Sequence, residues 1–179
     1  MKKKLAAAVF AALFACCLFC SCMLVPGHGT EPSETPPQPA GSDGRLSFTA
    51  SDVNGDSVDF SDYSDKKLVM INFWETWCGP CRGEIPDLEE LYEKYRDEGF
   101  MLIGVYSDSG EDDVKAMIES VGITYPNIPI IRELRQYTTR YVPTTVFFDG
   151  EGNQLGGDPV IGALDKAQWE ELIRSYLYR

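Results

Sequence analysis

The apolar residues in the body of the chain form runs that predict β-strands. Four such segments are predicted: Leu68–Trp74, Phe100–Tyr106, Thr144–Phe148 and Gln154–Ile161. The first two are almost continuously apolar, as strands buried on both faces are, whereas glycines and a proline in the last favour an edge position. A small hairpin is predicted to precede them, with Leu46–Thr49 and Ser57–Phe60 on either side of Asn54-Gly55.

Apolar residues spaced three and four positions apart predict three amphipathic helices. The apolar stripes consist of Leu88, Leu91, Tyr92 and Tyr95, then Val114, Met117, Ile118 and Val121, and finally Trp169, Leu172, Ile173 and Tyr176. Gly99 and Gly122 end the first two helices, Asp165 caps the last, and a short helix is expected over Glu133–Tyr141. This order predicts an α/β fold in which a central mixed β-sheet is flanked by helices on both faces.

Residues 1–22 have the pattern of an export signal. Lys2–Lys4 precede the apolar stretch Leu5–Phe19, whose end resembles a bacterial lipobox. Cys22 is therefore the expected lipid-attachment residue. Attachment at Cys16, an uncleaved anchor over Leu5–Val25 and a freely released form remain alternatives. Each of them places the rest of the chain outside the cytoplasmic membrane, because the lysines stay inside.

A linker, residues 23–44, is predicted to separate this signal from a folded domain, residues 45–179. The linker is rich in proline, glycine and serine. Such a composition buries little apolar area, so the segment is expected to be extended and mobile. The domain would then be tethered at the membrane surface.

The charge balance excludes one class of partner. The chain has 16 Lys and Arg residues against 28 Asp and Glu, which gives a formal net charge of −12. An acidic surface repels the phosphate backbone, so nucleic-acid binding is not expected. We interpret the charge as a source of solubility rather than a docking device for basic partners.

Cys78 and Cys81 are the only cysteines of the predicted domain, and the sole histidine, His28, lies in the linker. A zinc site would need two further Cys or His ligands, and the predicted domain contains none. It also lacks the histidine on which Cys–His proteases and Ser–His–Asp hydrolases depend. A structural disulfide is disfavoured because so short a loop contributes only about 2 kcal/mol, against about 4.7 for a 100-residue loop. The pair is therefore predicted to be redox-active.

The two cysteines stand where a buried strand runs into a helix, in Trp74-Glu75-Thr76-Trp77-Cys78-Gly79-Pro80-Cys81. Unpaired N–H groups at a helix N-terminus favour an anion, so Cys78 is expected to be an exposed, partly ionised nucleophile. A thiol whose pKa falls from about 8.5 to about 7 is about half ionised at pH 7, near the optimum for attack on disulfides. Cys81, one turn further along, is expected to resolve the mixed disulfide.

The segment Phe73–Arg82 resembles the active-site sequence of the thioredoxin superfamily, and specifically its membrane-tethered TlpA/ResA branch. Further matching features are Asn72, where thioredoxin has a buried Asp, Glu84 and Pro86 after the second cysteine, and the proline loop Tyr141–Thr145. The likeness covers about residues 45–179. It implies a thioredoxin-like fold with an N-terminal β-hairpin and a central insertion around Val114–Pro129.

The resemblance also implies roles for individual residues. Cys78 and Cys81 would form the redox-active disulfide, with no further cofactor and no metal. Glu84 would accept a proton from Cys81 or tune its pKa; an ordinary exposed acid is the alternative. The expected substrate contacts are Trp77, which would also be a lid over the core, Gly79, Pro80, Val142 and Pro143. A cis Pro143 would leave the backbone of Val142 free to pair with an extended substrate segment.

The implied function is reduction of disulfides in exported proteins by a monomer at the outer face of the bacterial cytoplasmic membrane. In resembling relatives the substrates include oxidised apocytochrome c and methionine sulfoxide reductases, and a CcdA- or DsbD-like membrane protein supplies the electrons. Gly79-Pro80 is the dipeptide of thioredoxin, which favours a potential near about −270 mV over the about −120 mV of DsbA. A disulfide-forming oxidant and a non-enzymatic surface lipoprotein remain alternatives.

Two residues depart from the family pattern, and one of them also bears on a peroxidase alternative. Gly83 stands where a longer, often basic residue is common. Glu75 replaces a small residue; its carboxylate would raise the pKa of Cys78 if it approached the sulfur, but we expect a solvated surface acid. A thiol peroxidase is disfavoured because Ile71 and Glu75 stand where the peroxiredoxin motif has Pro and Thr.

Overall fold

A computed structural model describes residues 44–179 of the chain. The predicted export signal, Cys22, Cys16 and residues 23–43 of the predicted linker lie outside the described residues. Within residues 44–179, no helix combines the length and the apolar character needed to cross a membrane.

The described residues form seven strands and three α-helices. The strands are β1 Thr49–Ser51, β2 Ser57–Asp59, β3 Leu68–Phe73, β4 Phe100–Tyr106, β5 Asn127–Pro129, β6 Thr144–Phe148 and β7 Gln154–Ile161. The helices are α1 Gly79–Tyr95, α2 Glu111–Val121 and α3 Lys166–Leu177. Short 3₁₀ segments cover Phe60–Tyr63, Arg96–Glu98 and Arg132–Tyr137. The last of these replaces the helix expected over Glu133–Tyr141, and β5 was not predicted.

The central sheet has the strand order β5-β4-β3-β6-β7, and β1 and β2 form a separate antiparallel hairpin. β3 pairs parallel with β4 and antiparallel with β6. Every residue of β3 and β4 is buried, as their almost continuously apolar sequences predicted. β7 is an edge strand, in agreement with its glycines and proline.

Two apolar cores lie on opposite faces of this sheet. Alternate residues of β3, such as Leu68 and Met70, pack with α1 and α3, whereas Val69 and Ile71 pack with the hairpin and with Leu134 of the last 3₁₀ segment. The predicted α/β fold, with a mixed central sheet flanked by helices, is confirmed.

A close contact between β4 and β5 fixes Trp74. This residue precedes the turn Glu75–Cys78, which we call the active-site turn. The buried Trp74 donates its indole N–H to Asn127 Oδ1 at 2.9 Å. Gly104 allows this contact, because a Cβ there would lie 2.0 Å from the same oxygen. Trp74 is thus a core residue, as expected, and it anchors the start of the active-site turn.

Candidate active site

Cys78 is the residue that caps the N-terminus of α1. Its backbone is extended, with φ −80° and ψ 106°, and the helix begins at the next residue, Gly79. Its Sγ accepts the backbone N–H of Cys81 at 3.2 Å and forms a disulfide with Cys81. The sulfur therefore occupies the place where a capping oxygen usually stands, among N–H groups that favour an anion.

The two sulfurs differ in access to solvent. Cys78 is 4% exposed and Cys81 is fully buried, so Cys78 is the residue that a substrate can reach. The expectation of an openly exposed Cys78 is nevertheless wrong for the disulfide form. The cause is the proline loop, since the Val142 carbonyl oxygen lies 3.5 Å from Cys78 Sγ.

The proline loop presents its backbone beside the disulfide. The Val142–Pro143 peptide bond is cis, and the Pro143 carbonyl accepts the N–H of Gly162 at 2.9 Å. Among residues 44–179 the Val142 N–H has no hydrogen-bond partner. An extended peptide could pair with it, as the resemblance implied.

Two exposed aromatic residues lie in the turns that carry Cys78 and Val142. Trp77 is 64% exposed and Tyr141 is 66% exposed. Trp77 is therefore not the lid over the core that was expected, but it remains available to contact a substrate. Gly79 and Pro80 form the first turn of α1 next to it.

Glu84 lies inside the protein, one turn after Cys81 on α1. It is 2% exposed, so the alternative of an ordinary exposed acid is wrong. Its Oε1 accepts Asn72 Nδ2 at 3.1 Å, and its Oε2 accepts the indole N–H of Trp169 at 3.0 Å and the Leu164 N–H at 3.3 Å. These donors from β3, α3 and the loop before α3 fix the carboxyl group in the interior.

Burial raises the pKa of Glu84 to about 7, although the hydrogen bonds from Asn72, Trp169 and Leu164 each lower it. A carboxyl group with this pKa can both accept and release a proton near neutral pH. Asn72 donates through the same Nδ2 to Thr145, and its Oδ1 has no partner within the described part of the chain. After rotation of the amide, that oxygen could accept a hydrogen bond from the O–H of protonated Glu84.

Glu75 is also buried, which the sequence did not predict. It is 2% exposed, and its carboxylate accepts hydrogen bonds from residues 107–109 after β4. The expectation of a solvated surface acid is therefore wrong. The physical reason is that this loop supplies enough N–H and O–H donors to replace water.

The remaining departure, Gly83, lies on an open side of α1. A Cβ at this position would meet no atom within 4 Å. The first atom of a longer side chain would therefore meet no clash at this position.

Comparison with known proteins identifies the family. A model of the AhpC/TSA family matches residues 45–153. The chain belongs to this family. Thiol-disulfide oxidoreductase ResA from Geobacillus kaustophilus is 34% identical over 133 residues, which cover 72% of this chain and 73% of that relative.

Solved structures agree with this AhpC/TSA assignment. A thioredoxin-family thiol:disulfide interchange protein from Chlorobium tepidum superposes with a TM-score of 0.68 at 26% identity, covering 74% of this chain and 94% of that chain. The exposed lipoprotein thioredoxin of Streptococcus pneumoniae superposes with a TM-score of 0.61 at 25% identity, covering 72% and 98%. The expected resemblance to ResA-like proteins is confirmed, and this AhpC/TSA-family chain is a thiol–disulfide oxidoreductase.

Among the described residues, no three His, Cys, Asp or Glu side chains are grouped so that they could hold a metal ion. The structure brings together Cys78, Cys81, Val142 and Pro143, and it places Glu84 one turn beyond Cys81. Their catalytic and binding roles stay predictions.

Proposed function

We propose that this oxidoreductase reduces disulfides in exported proteins outside the cytoplasmic membrane. The observation that carries the reducing direction is the Gly79-Pro80 dipeptide between a capping Cys78 and a buried Cys81. This dipeptide is that of thioredoxin, whose potential is about −270 mV. Cys78 thiolate attacks the substrate disulfide and forms a mixed disulfide. Cys81 then attacks Cys78 Sγ, which releases the reduced substrate and leaves the Cys78–Cys81 disulfide.

Substrate binding is supported by the backbone beside the sulfur. The unpaired N–H of Val142 would donate to an extended substrate segment, and the exposed Trp77 and Tyr141 would contact its side chains. Oxidised apocytochrome c and methionine sulfoxide reductases are the proposed substrates, because the family resemblance implies exported proteins of these two kinds.

The proposed location rests on the N-terminal sequence. A positively charged start, an apolar stretch and Cys22 in a lipobox-like setting support a lipid-anchored monomer at the outer face of the membrane. One solved structure that resembles the domain belongs to an exposed lipoprotein, which agrees with this placement. Electrons would come from a CcdA- or DsbD-like membrane protein, because no soluble reductant of the cytoplasm reaches that face.

Redox titration of the Cys78–Cys81 pair tests the direction. The full chain is equilibrated with glutathione buffers, and alkylation is measured by mass spectrometry on the tryptic peptide Leu68–Arg82, which excludes the N-terminal cysteines. We expect a potential near about −270 mV. A potential above about −150 mV would show a disulfide-forming oxidant instead.

A further inference from the structure

The carboxylate of Glu75 is held by five hydrogen bonds from one loop. Oε1 accepts the N–H of Ser107 at 2.8 Å, the hydroxyl of Ser107 at 2.6 Å and the N–H of Asp108 at 3.0 Å. Oε2 accepts the N–H and the hydroxyl of Ser109 at 2.8 and 2.6 Å. All five donors follow β4, the strand beside β3. This number of donors is sufficient to keep a buried carboxylate without a cationic partner.

The same contacts tie the active-site turn to the loop after β4. The Thr76 N–H donates to Ser109 Oγ at 2.8 Å, and the Thr76 hydroxyl lies 3.1 Å from that oxygen. The Glu75 carbonyl accepts the N–H of Cys78 at 3.1 Å. The four-residue turn that ends in the nucleophile is therefore fixed at its first, second and last residues.

Glu75 carries a negative charge in the turn that ends at Cys78. Burial alone would raise its pKa, but hydrogen bonds from Ser107, Ser109 and Asp108 outweigh burial, so the pKa lies below its ordinary value. Glu75 lines a cavity of about 60 Å³. Val142 contacts the Cys78 sulfur and also lines the cavity that Glu75 lines.

We propose that Glu75 is a positioning residue whose clamped carboxylate sets the redox balance of the dithiol, by holding a permanent negative charge in the turn that ends at Cys78. The charge acts against the N-terminus of α1, which stabilises a thiolate on Cys78. An adjacent anion destabilises that thiolate and hence the reduced form. A couple with a less stable reduced form is a stronger reductant. This inference deepens the proposed reductase function and rests on it.

Three variants of the full chain separate charge from shape. Glu75→Gln removes the charge at nearly constant size, and Glu75→Ala introduces the small residue that is common here in resembling proteins. Glu75→Asp keeps the charge on a shorter side chain. Glu93→Gln is the matched control, because Glu93 is an exposed acid on α1 and its loss changes net charge equally.

The readout is the equilibrium of the Cys78–Cys81 pair with glutathione. In the two uncharged variants, Glu75→Gln and Glu75→Ala, we expect the equilibrium constant to shift three- to ten-fold toward the dithiol. This shift corresponds to about 15 to 30 mV in the potential. The equilibrium constants of Glu75→Asp and Glu93→Gln should stay within about two-fold of the wild-type value. Equilibria that are unchanged in both neutral variants, or shifted equally in Glu93→Gln, would overturn the inference. A wild-type potential above about −150 mV would instead refute the reductase function, while a shift in the neutral variants would still establish the role of Glu75.

Discussion

Replacing Cys78 by serine is expected to abolish insulin-disulfide reduction by the full chain, down to the rate of dithiothreitol alone. The serine hydroxyl does not ionise near pH 7 and cannot open a disulfide. Replacing Cys81 by serine should leave the first step intact but stop the second. The chain then accumulates as a mixed disulfide on Cys78, which non-reducing gels and mass spectrometry detect. In cells, the same variant would retain the physiological substrate.

The matched control for these variants is Cys17→Ser, which removes a cysteine from the N-terminal segment and should leave the reduction rate unchanged. Residual reduction by Cys78→Ser would contradict a nucleophilic Cys78. Accumulation of a mixed disulfide on Cys81 in that variant would show that the two cysteines have exchanged roles.

The second large effect concerns Glu84 and the dependence of stability on pH. The folded pKa of about 7 exceeds the ordinary value of 4.5, so the folded state retains a proton that the unfolded state has lost between these pH values. The free energy of unfolding therefore falls as pH rises from about 4.5 to 7 and stays lower above pH 7. The penalty at pH 8 is about 3 kcal/mol.

Glu84→Gln should remove this penalty in the disulfide form. Its amide oxygen can accept from Trp169 and Leu164, and its NH₂ can donate to Asn72 Oδ1 after that amide rotates. We expect urea unfolding between pH 4.5 and 8 to show that the free energy of unfolding of the variant rises relative to that of wild type. The relative increase should reach up to about 3 kcal/mol at the highest pH. Glu93→Gln provides the control. Parallel pH curves for wild type and Glu84→Gln would contradict a titrating, buried Glu84.

This stability penalty is consistent with a catalytic use of Glu84. A group that is half protonated near pH 7 can take the proton of Cys81 when that thiol attacks the mixed disulfide, as the family resemblance implied. Loss of a general base typically slows a step by about 10²- to 10⁴-fold. The same Glu84→Gln variant would therefore be more stable at pH 8 and slower in releasing substrate.

The framework of the fold could be predicted because its signals are local. The strands Phe100–Tyr106 and Thr144–Phe148 have the predicted bounds, since a short run rich in apolar and β-branched residues is typical of a buried strand. β5 gave no such signal, because it has only three residues and lies between Pro126 and Ile130 without an apolar run. Its position comes from pairing with β4, which the sequence of the segment itself does not specify.

The burial of the two acids could not be predicted from their own neighbourhoods. Glu84 receives a donor from Trp169, 85 residues further along, and Glu75 receives its donors from residues 32 to 34 positions later. One signal was available for Glu75, namely an acid directly after the buried strand β3 and the buried Trp74. Such a residue has few routes to solvent, so it needs internal donors.

Cys78 is predicted to be an activated nucleophile because it caps α1. The rate of its alkylation by iodoacetamide as a function of pH tests this claim most directly, using reduced Cys81→Ser full chain and the peptide Leu68–Arg82 as readout. We predict that the rate rises with pH around a midpoint near pH 7. This midpoint is well below the pKa of a free cysteine, which is about 8.5. A midpoint at pH 8.5 or above, with slow alkylation at neutral pH, would contradict the account.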